Sequence, residues 1–304
     1  MDDKDWRILK AVAEEKNITR AAARLYMSQP ALSYRLKSLE DEFGARLVSR
    51  LPGGVMLTAQ GECVLDYARE MLVRHASLKE RIRNMADKVQ GALRIGSSGV
   101  FAHFALPNIL KGFLAAFPEV EISLKTALSQ PIIRLLEKQE ITVAIVRGDH
   151  AWEGERFMLM REPVCVVSRT RIALDDLPAQ PYIRYGTDAP LQRLLDDWWR
   201  KRFKVPQRAT MEVNTMDTAR EMVSNGLGWA LLPSIGLAQR DGLHAEPVYW
   251  QDGSPFVRET WVLCSAGAME LRTVRAFVDY LREWQLTGGA MQVAGSLAIP
   301  EAGD

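Results

Sequence analysis

Two sets of side chains have types and spacings suited to chemistry. The first is Ser28, Gln29, Pro30, Ser33, Tyr34, Arg35 and Lys37. Leu32, Leu36, Leu39 and Phe43 run through this segment as one apolar stripe at helical spacing. A helix that turns this stripe to a core leaves Gln29, Ser33, Tyr34 and Lys37 on other faces. A glutamine amide pairs with an adenine edge, and a serine hydroxyl donates or accepts. Arg35, Lys37 and the Ser28 region suit phosphates, which fix position without carrying sequence. Taken alone, the pattern is equally that of an amphipathic helical hairpin with a solvated polar face.

The second set lies where strands are expected to end. It comprises Ser97, Ser98 and Gly99, then Ala127, Ser129 and Gln130, then Arg147, and finally Asn214 and Thr215. Hydroxyls and helix N-termini at strand ends favour an anion, most simply a small carboxylate. Phe101 and Tyr185 are either apolar walls of such a site or plain core. Each hydroxyl taken singly could instead cap its own helix. Convergence on one cleft is what would make them a site.

These residues need elements to position them. Thr19 is placed to cap a short helix carrying Ala21, Ala22, Ala23 and Leu25, with Tyr26 and Met27 in the turn that follows. Ser28 is the N-cap of the next helix, with Pro30 in its first turn. Upstream, Trp6, Leu9, Val12 and Ala13 at helical spacing would complete a trihelical core. Downstream, extended pieces at 46–49 and 55–57 flank Pro52-Gly53-Gly54 and read as a small hairpin, which would hold Arg50 near a nucleic-acid backbone. From 58 to 88 there is no proline and Gly61 is the only glycine. Leu65, Ala68, Leu72, Ile82, Met85 and Val89 recur there at helical spacing, so one long helix with a narrow apolar stripe is expected, and such a stripe calls for a partner.

At this point residues 1–61 resemble the winged helix-turn-helix of LysR-type transcriptional regulators. The resemblance is carried by Ala21-Ala22-Ala23-Arg24-Leu25, Ser28-Gln29-Pro30-Ala31-Leu32-Ser33, Leu36-Lys37-Ser38-Leu39-Glu40, Phe43-Gly44, Leu47, Arg50 and Leu57-Thr58-Ala59-Gln60-Gly61. There are departures. Val48 stands where the family often has Phe, Leu51-Pro52-Gly53-Gly54 lacks a second arginine at the wing tip, and Tyr34 replaces a smaller or charged residue. The rest of the chain, to about 285, resembles the family's effector domain more weakly. Strands are expected at 92–96, 120–126, 142–146, 182–185, 209–213 and 259–264, with another in the segment 226–233 after the tight turn at 226–228, and helices at 104–117, 131–138, 191–203, 217–225 and 269–284. Alternation of this kind argues a parallel α/β sheet.

The fold expected is therefore α/β with an N-terminal winged helix-turn-helix, a long linker helix and a two-lobed, periplasmic-binding-protein-like effector domain. The boundaries are 1–58 for DNA binding, 59–89 for a dimerisation linker and 90–304 for effector binding. The first lobe is expected at about 91–165 and 267–285, the second at about 166–266, with a loose tail at 286–304. The resemblance implies operator binding as a dimer or tetramer, tuned by a small anionic effector in the inter-lobe cleft. Double-stranded DNA, a second copy and the effector are the expected partners, and RNA polymerase is left open.

Composition limits the alternatives. The net charge of +1 over 304 residues excludes a wholly electrostatic nucleic-acid binder. Residues 1–58 hold ten Lys/Arg against eight Asp/Glu, so a single copy should bind DNA weakly and two linked copies much better. Cys63, Cys165 and Cys264 are far apart and lack metal spacing, as expected of reduced thiols in a cytoplasmic protein. The acidic start is no signal peptide, and no membrane span, metal set or cofactor is expected. No phosphate-binding loop, Gly-x-Gly-x-x-Gly or Gly-x-Ser-x-Gly supplies a catalytic residue. A small-molecule binding module, a regulator answering to a protein partner or to oxidation, and an α/β enzyme are the competing readings.

Overall fold

A computed structural model of the chain describes residues 1–83, 88–237 and 242–289. The chain divides near residues 87 and 88 into two compact units.

The first unit opens with α1 (Asp3–Glu15), whose start is closed by a reciprocal capping box between Asp2 and Asp5. In α2 (Ile18–Arg24) the cap is the Asn17 side chain, which accepts from the Arg20 N–H. Thr19, the expected cap, is already inside the helix. In α3 (Gln29–Phe43) the Ser28 cap and the early Pro30 are as expected, and Gly44 ends the helix in the left-handed region at φ 60°. Ile8, Leu9, Val12, Ala21, Ala22, Leu32, Leu36 and Leu39 form the trihelical core. Phe43 does not join them. It is the last residue of α3 and is 44% exposed.

The hairpin pairs β1 (Val48–Leu51) with β2 (Gly54–Leu57), so Pro52 and Gly53 form its two-residue turn, with Gly53 at φ 96°. It starts two residues later than expected, because the Arg46 carbonyl is occupied by the Thr58 hydroxyl at 2.6 Å. Next comes α4 (Ala59–Arg83), about 37 Å long at 1.5 Å per residue. It passes close to the hairpin at Gly61, where a Cβ would stand 2.1 Å from the Leu47 carbonyl oxygen. Leu65 and Ala68 bury against the core, and His75 Nδ1 lies 3.2 Å from the Asp3 carboxylate on α1. The expected linker continues to 89, and its residues 84–87 lie outside the described residues.

The second unit begins with β3 (Gly91–Ser98), α5 (Gly99–Phe104), α6 (Leu106–Ala116), β4 (Val120–Ala127), α7 (Ser129–Glu137) and β5 (Val143–Arg147). The helix expected at 104–117 is α6, two residues shorter at its start, and the short α5 before it was not expected. Next comes β6 (Glu155–Ser168), one 14-residue strand that periodicity did not announce. After it lie β7 (Tyr182–Tyr185), α8 (Ala189–Arg202), β8 (Ala209–Val213), α9 (Met216–Ser224), β9 (Ala230–Pro233), β10 (His244–Pro247), β11 (Val257–Cys264) and α10 (Arg272–Leu286).

The strands β4, β3 and β5 are parallel neighbours, and β11 and β6 continue their sheet antiparallel. The second half of β6 pairs instead with β9 and β10. Tyr182 bridges to Trp229, which attaches the parallel pair β7–β8 to the same side. One strand thus serves both sheets, so the boundary expected at 165 and 166 falls inside β6. A turn at Ala266–Glu270 delays α10 to Arg272. Most of the expected tail, residues 290–304, lies outside the described residues. Among the described residues no helix is long and apolar enough to cross a membrane.

Candidate functional site

The first candidate surface is the outer face of α3. Ser28, Gln29, Pro30, Tyr34 and Lys37 are exposed, and Ser33 is half-buried. The Gln29 amide lies 3.4 Å from the Ser33 hydroxyl, so the two polar groups share one face near the helix start. Helix α2 ends just before them. The Met27 N–H bonds to the Ala22 carbonyl and the Tyr26 N–H to that of Ala23, with Tyr26 left-handed at φ 55°. Glycine is the usual occupant there, and the Tyr26 ring is 98% exposed.

Arg35 departs from the phosphate role expected of it. Its guanidinium lies 3.0 Å from Asp2 and 2.6 Å from Asp5, so it ties α3 to the start of α1. The Arg50 backbone pairs with Val55 in the hairpin, and its side chain is outside the described residues.

The second candidate is a pocket of about 230 Å³ in the second unit. Chain order explains its position. The strands β4, β7 and β8 end where α7, α8 and α9 begin, so three helix N-termini face one space. Of the expected residues, Ser98, Gly99, Ala127, Ser129, Arg147, Tyr185 and Thr215 line it. Three do not. Ser97 points to the opposite face of β3 from Ser98 and is fully buried, with its hydroxyl donating to the Ser98 carbonyl at 3.1 Å. Phe101 is core, with no exposure. Gln130 follows Ser129 on α7 and turns to solvent.

Two guanidinium groups dominate the pocket. Arg147 closes β5 and is 4% exposed, and Arg258 on β11 is 3% exposed. One Arg147 nitrogen lies 2.5 Å from Glu162 Oε1 on β6. Arg258 pairs with Asp188, the N-cap of α8, and donates to the Arg147 carbonyl at 3.0 Å. The Arg147 backbone N–H donates to the Ser129 hydroxyl at 3.0 Å. Arg147 Nη1, Arg258 Nε, Ser98 Oγ and Tyr185 Oη are buried without a hydrogen-bond partner. Burial pushes the Tyr185 phenol up. It pulls the Arg258 guanidinium down, as does neighbouring Arg147. Four unpaired polar atoms around one space are unfavourable in a closed interior and suited to a polar guest.

Thr215 also caps α9, accepting from the Thr218 N–H at 3.2 Å, so capping and lining are both realised there. At the pocket mouth His103 Nδ1 lies 4.0 Å from Asp217. Sequence reasoning missed Asp188, Arg258, His103 and Asp217. The available signals were an arginine near the start of a strand that ends Trp261-Val262-Leu263-Cys264 and an Asp before the helix-opening Pro190. Cys165 and Cys264 are buried, and burial pushes their thiols up to about 12 and about 11. Cys63 is exposed.

Comparison with known proteins agrees with this architecture. Residues 4–62 match the bacterial regulatory helix-turn-helix protein, lysR family, and residues 86–286 match the LysR substrate binding domain. The uncharacterised HTH-type transcriptional regulator YraN of Bacillus subtilis (strain 168) is 38% identical over 94% of this chain and 99% of its own. Among solved structures, a full-length OxyR variant from Pseudomonas aeruginosa superposes with a TM-score of 0.68 at 20% identity, covering 93% of this chain and 95% of that one. Full-length CbnR complexed with its target DNA superposes with a TM-score of 0.65 at 21% identity, covering 93% and 99%. Two family domains in series, with a relative matched along nearly its whole length, place this chain in the LysR family of transcriptional regulators, with a DNA-binding helix-turn-helix and an effector-binding domain.

Proposed function

We propose that the protein binds a specific operator through α3 and that a compact anion with more than one carboxylate, held in the pocket of the second unit, sets its activity. The observation that carries the effector reading is the pair of buried guanidiniums, each with an unpartnered N–H, at the convergence of three helix N-termini. Each N-terminus adds about half a positive charge. A monocarboxylate would use one of these features and leave the rest unpaired. A pocket of about 230 Å³ suits a small metabolite. Val100, Leu128 and Met216 supply apolar wall for a short carbon skeleton.

DNA recognition by Gln29, Pro30, Ser33 and Tyr34, with Lys37 on phosphate, is supported by the exposure of all but the half-buried Ser33 on α3 and by the Gln29 amide lying beside the Ser33 hydroxyl. CbnR, a neighbour in fold, forms a complex with its target DNA. Pairing of two chains along α4 is supported by Tyr67 and Leu78, exposed on that helix at 51% and 53%. Oxidation as the signal is disfavoured at Cys165 and Cys264, because thiols held that high carry almost no thiolate at neutral pH.

A thermal-shift panel of mono-, di- and tricarboxylates against the full chain tests the effector reading. A ligand present at 100 times its dissociation constant adds ~2.7 kcal/mol. Stabilisation should appear with two or more carboxylates and fade with one. A panel in which no anion shifts the second unit's transition refutes the reading. Gel shifts with DNA from upstream of its own gene test operator binding.

A further inference from the structure

We propose that Glu162 is a built-in competitor for the effector anion at Arg147, and that effector binding is therefore coupled to uptake of a proton by Glu162. This rests on the anionic-effector reading given above.

Glu162 has no exposure and does not line the pocket. Arg147 stands between the two. One of its nitrogens is 2.5 Å from Glu162, while its Nη1 is buried without a partner and the residue lines the pocket. The surroundings of Glu162 are sparse. From β5 comes Arg147. From β11 comes Arg258, already committed to Asp188. From the segment after β9 come the Ile235 N–H, which bonds to Oε2, and the Ser234 hydroxyl at 3.4 Å. On its own strand lies the Cys165 thiol, and near both arginines lies the Tyr185 phenol. Among the described residues around Glu162, Arg147 is thus the one cation not committed to another carboxylate, and the same residue lines the pocket.

In the empty protein the Arg147–Glu162 pair spares each partner the cost of a lone buried charge. An entering anion places a second negative charge on the same guanidinium. One cation cannot balance two anions where water is excluded, so the system sheds a charge. The effector is held by further groups and Glu162 is not, so Glu162 is the group that gives way. It binds a proton from bulk solvent, and its Oε2 can still accept from Ile235. Burial already holds its carboxyl above the usual range, against the pull of Arg147. The complex then carries more protons than the free protein. Affinity must rise as pH falls, by at most about tenfold per pH unit.

The test is calorimetric titration of the full chain with sulfate, a dianion that does not itself titrate between about pH 5.5 and pH 8. Paired runs in imidazole and Bis-Tris buffers, which differ in ionisation heat, count the protons. Wild type should take up a substantial fraction of a proton and bind several-fold tighter per pH unit lowered. Glu162→Gln should bind at least several-fold tighter than wild type at the high-pH end and lose the pH dependence. Uptake that persists in Glu162→Gln would assign the proton to His103 at the mouth and overturn the proposal. Should that variant not fold, His103→Gln decides: uptake retained supports Glu162, and uptake lost overturns it. Sulfate binding without proton uptake sinks this inference alone. No sulfate binding at any pH sinks the anion-site reading as well.

Discussion

Replacing Arg147 with methionine puts the largest single load on this structure. Glu162 is wholly buried, and Arg147 is the cation ion-paired to it, Arg258 being paired with Asp188. Breaking a buried pair by removing one partner costs ~3–5 kcal/mol, because the other charge is left uncompensated. Linkage makes that cost depend on pH. A lone buried carboxyl has its folded pKa raised above its unfolded value, so the folded state binds more protons than the unfolded state. Stability therefore falls as pH rises from the ordinary carboxyl value through the raised one. The loss in Arg147→Met should be small near about pH 5 and approach its full size near about pH 8. Removing Glu162 as well, in Arg147→Met with Glu162→Leu, takes away both charges. The double variant should lie within ~1–2 kcal/mol of wild type, the remainder reflecting the Ile235 N–H left without its acceptor. Glu162→Leu alone orphans the same Ile235 N–H, so the coupling energy of the cycle, the two single losses less the double loss, is at least ~3–5 kcal/mol. Urea unfolding followed by tryptophan fluorescence measures it, since seven of the eight tryptophans, all but Trp6, lie in the second unit. Additive losses in the double variant, or a loss in Arg147→Met that does not change with pH, would refute the argument.

Other outcomes follow from the first unit. In gel shifts, Gln29→Ala should weaken operator binding by ~1–3 kcal/mol and spare non-specific DNA, and equal losses would remove its base-reading role. Lys37→Ala should flatten the salt dependence of DNA binding by about one phosphate, whereas Arg35→Ala should leave the slope unchanged, its guanidinium being held by Asp2 and Asp5. Tyr26→Gly should raise stability by ~1 kcal/mol in thermal melts, because it relieves a left-handed tyrosine at a helix C-terminus. Gly61→Ala should destabilise by ~1–3 kcal/mol in the same melts, since the Leu47 carbonyl is rigid backbone and must move.

The first unit was legible because its signals are local. A cap at Ser28, a proline in the first turn and a leucine every third or fourth residue fix α3 without reference to the rest of the chain. The failures there were also local: Asn17 outcompeted Thr19 as a cap, and Phe43 fell on the last turn of its helix. The pocket was half legible. Strand ends announce themselves through Ser, Gly and Thr before a helix, which found Ser98, Ser129 and Thr215. Whether a residue faces the pocket depends on strand parity, and an error of one position turned Ser97 inward. Asp188 and Arg258 were invisible for a different reason. They meet only because β11 returns beside β6 after a long excursion, and no periodicity reports which distant residues will be paired. The strand β6 itself reads as an apolar run broken by Arg161, Glu162 and Pro163, which hides its continuity.

The shared strands also fix a folding order. Everything from β7 to β10 is one unbroken stretch of chain, so the second lobe can assemble from neighbours along the sequence. The first lobe cannot. Its β5 pairs Arg147 with Thr260, and its β3 packs against α10, which begins at Arg272. During synthesis the DNA-reading helices leave the ribosome first, the second lobe next and the closing elements of the first lobe last. A nascent chain therefore holds a complete helix-turn-helix well before Arg147 and Arg258 are brought together, and for that interval the pocket they line does not yet exist.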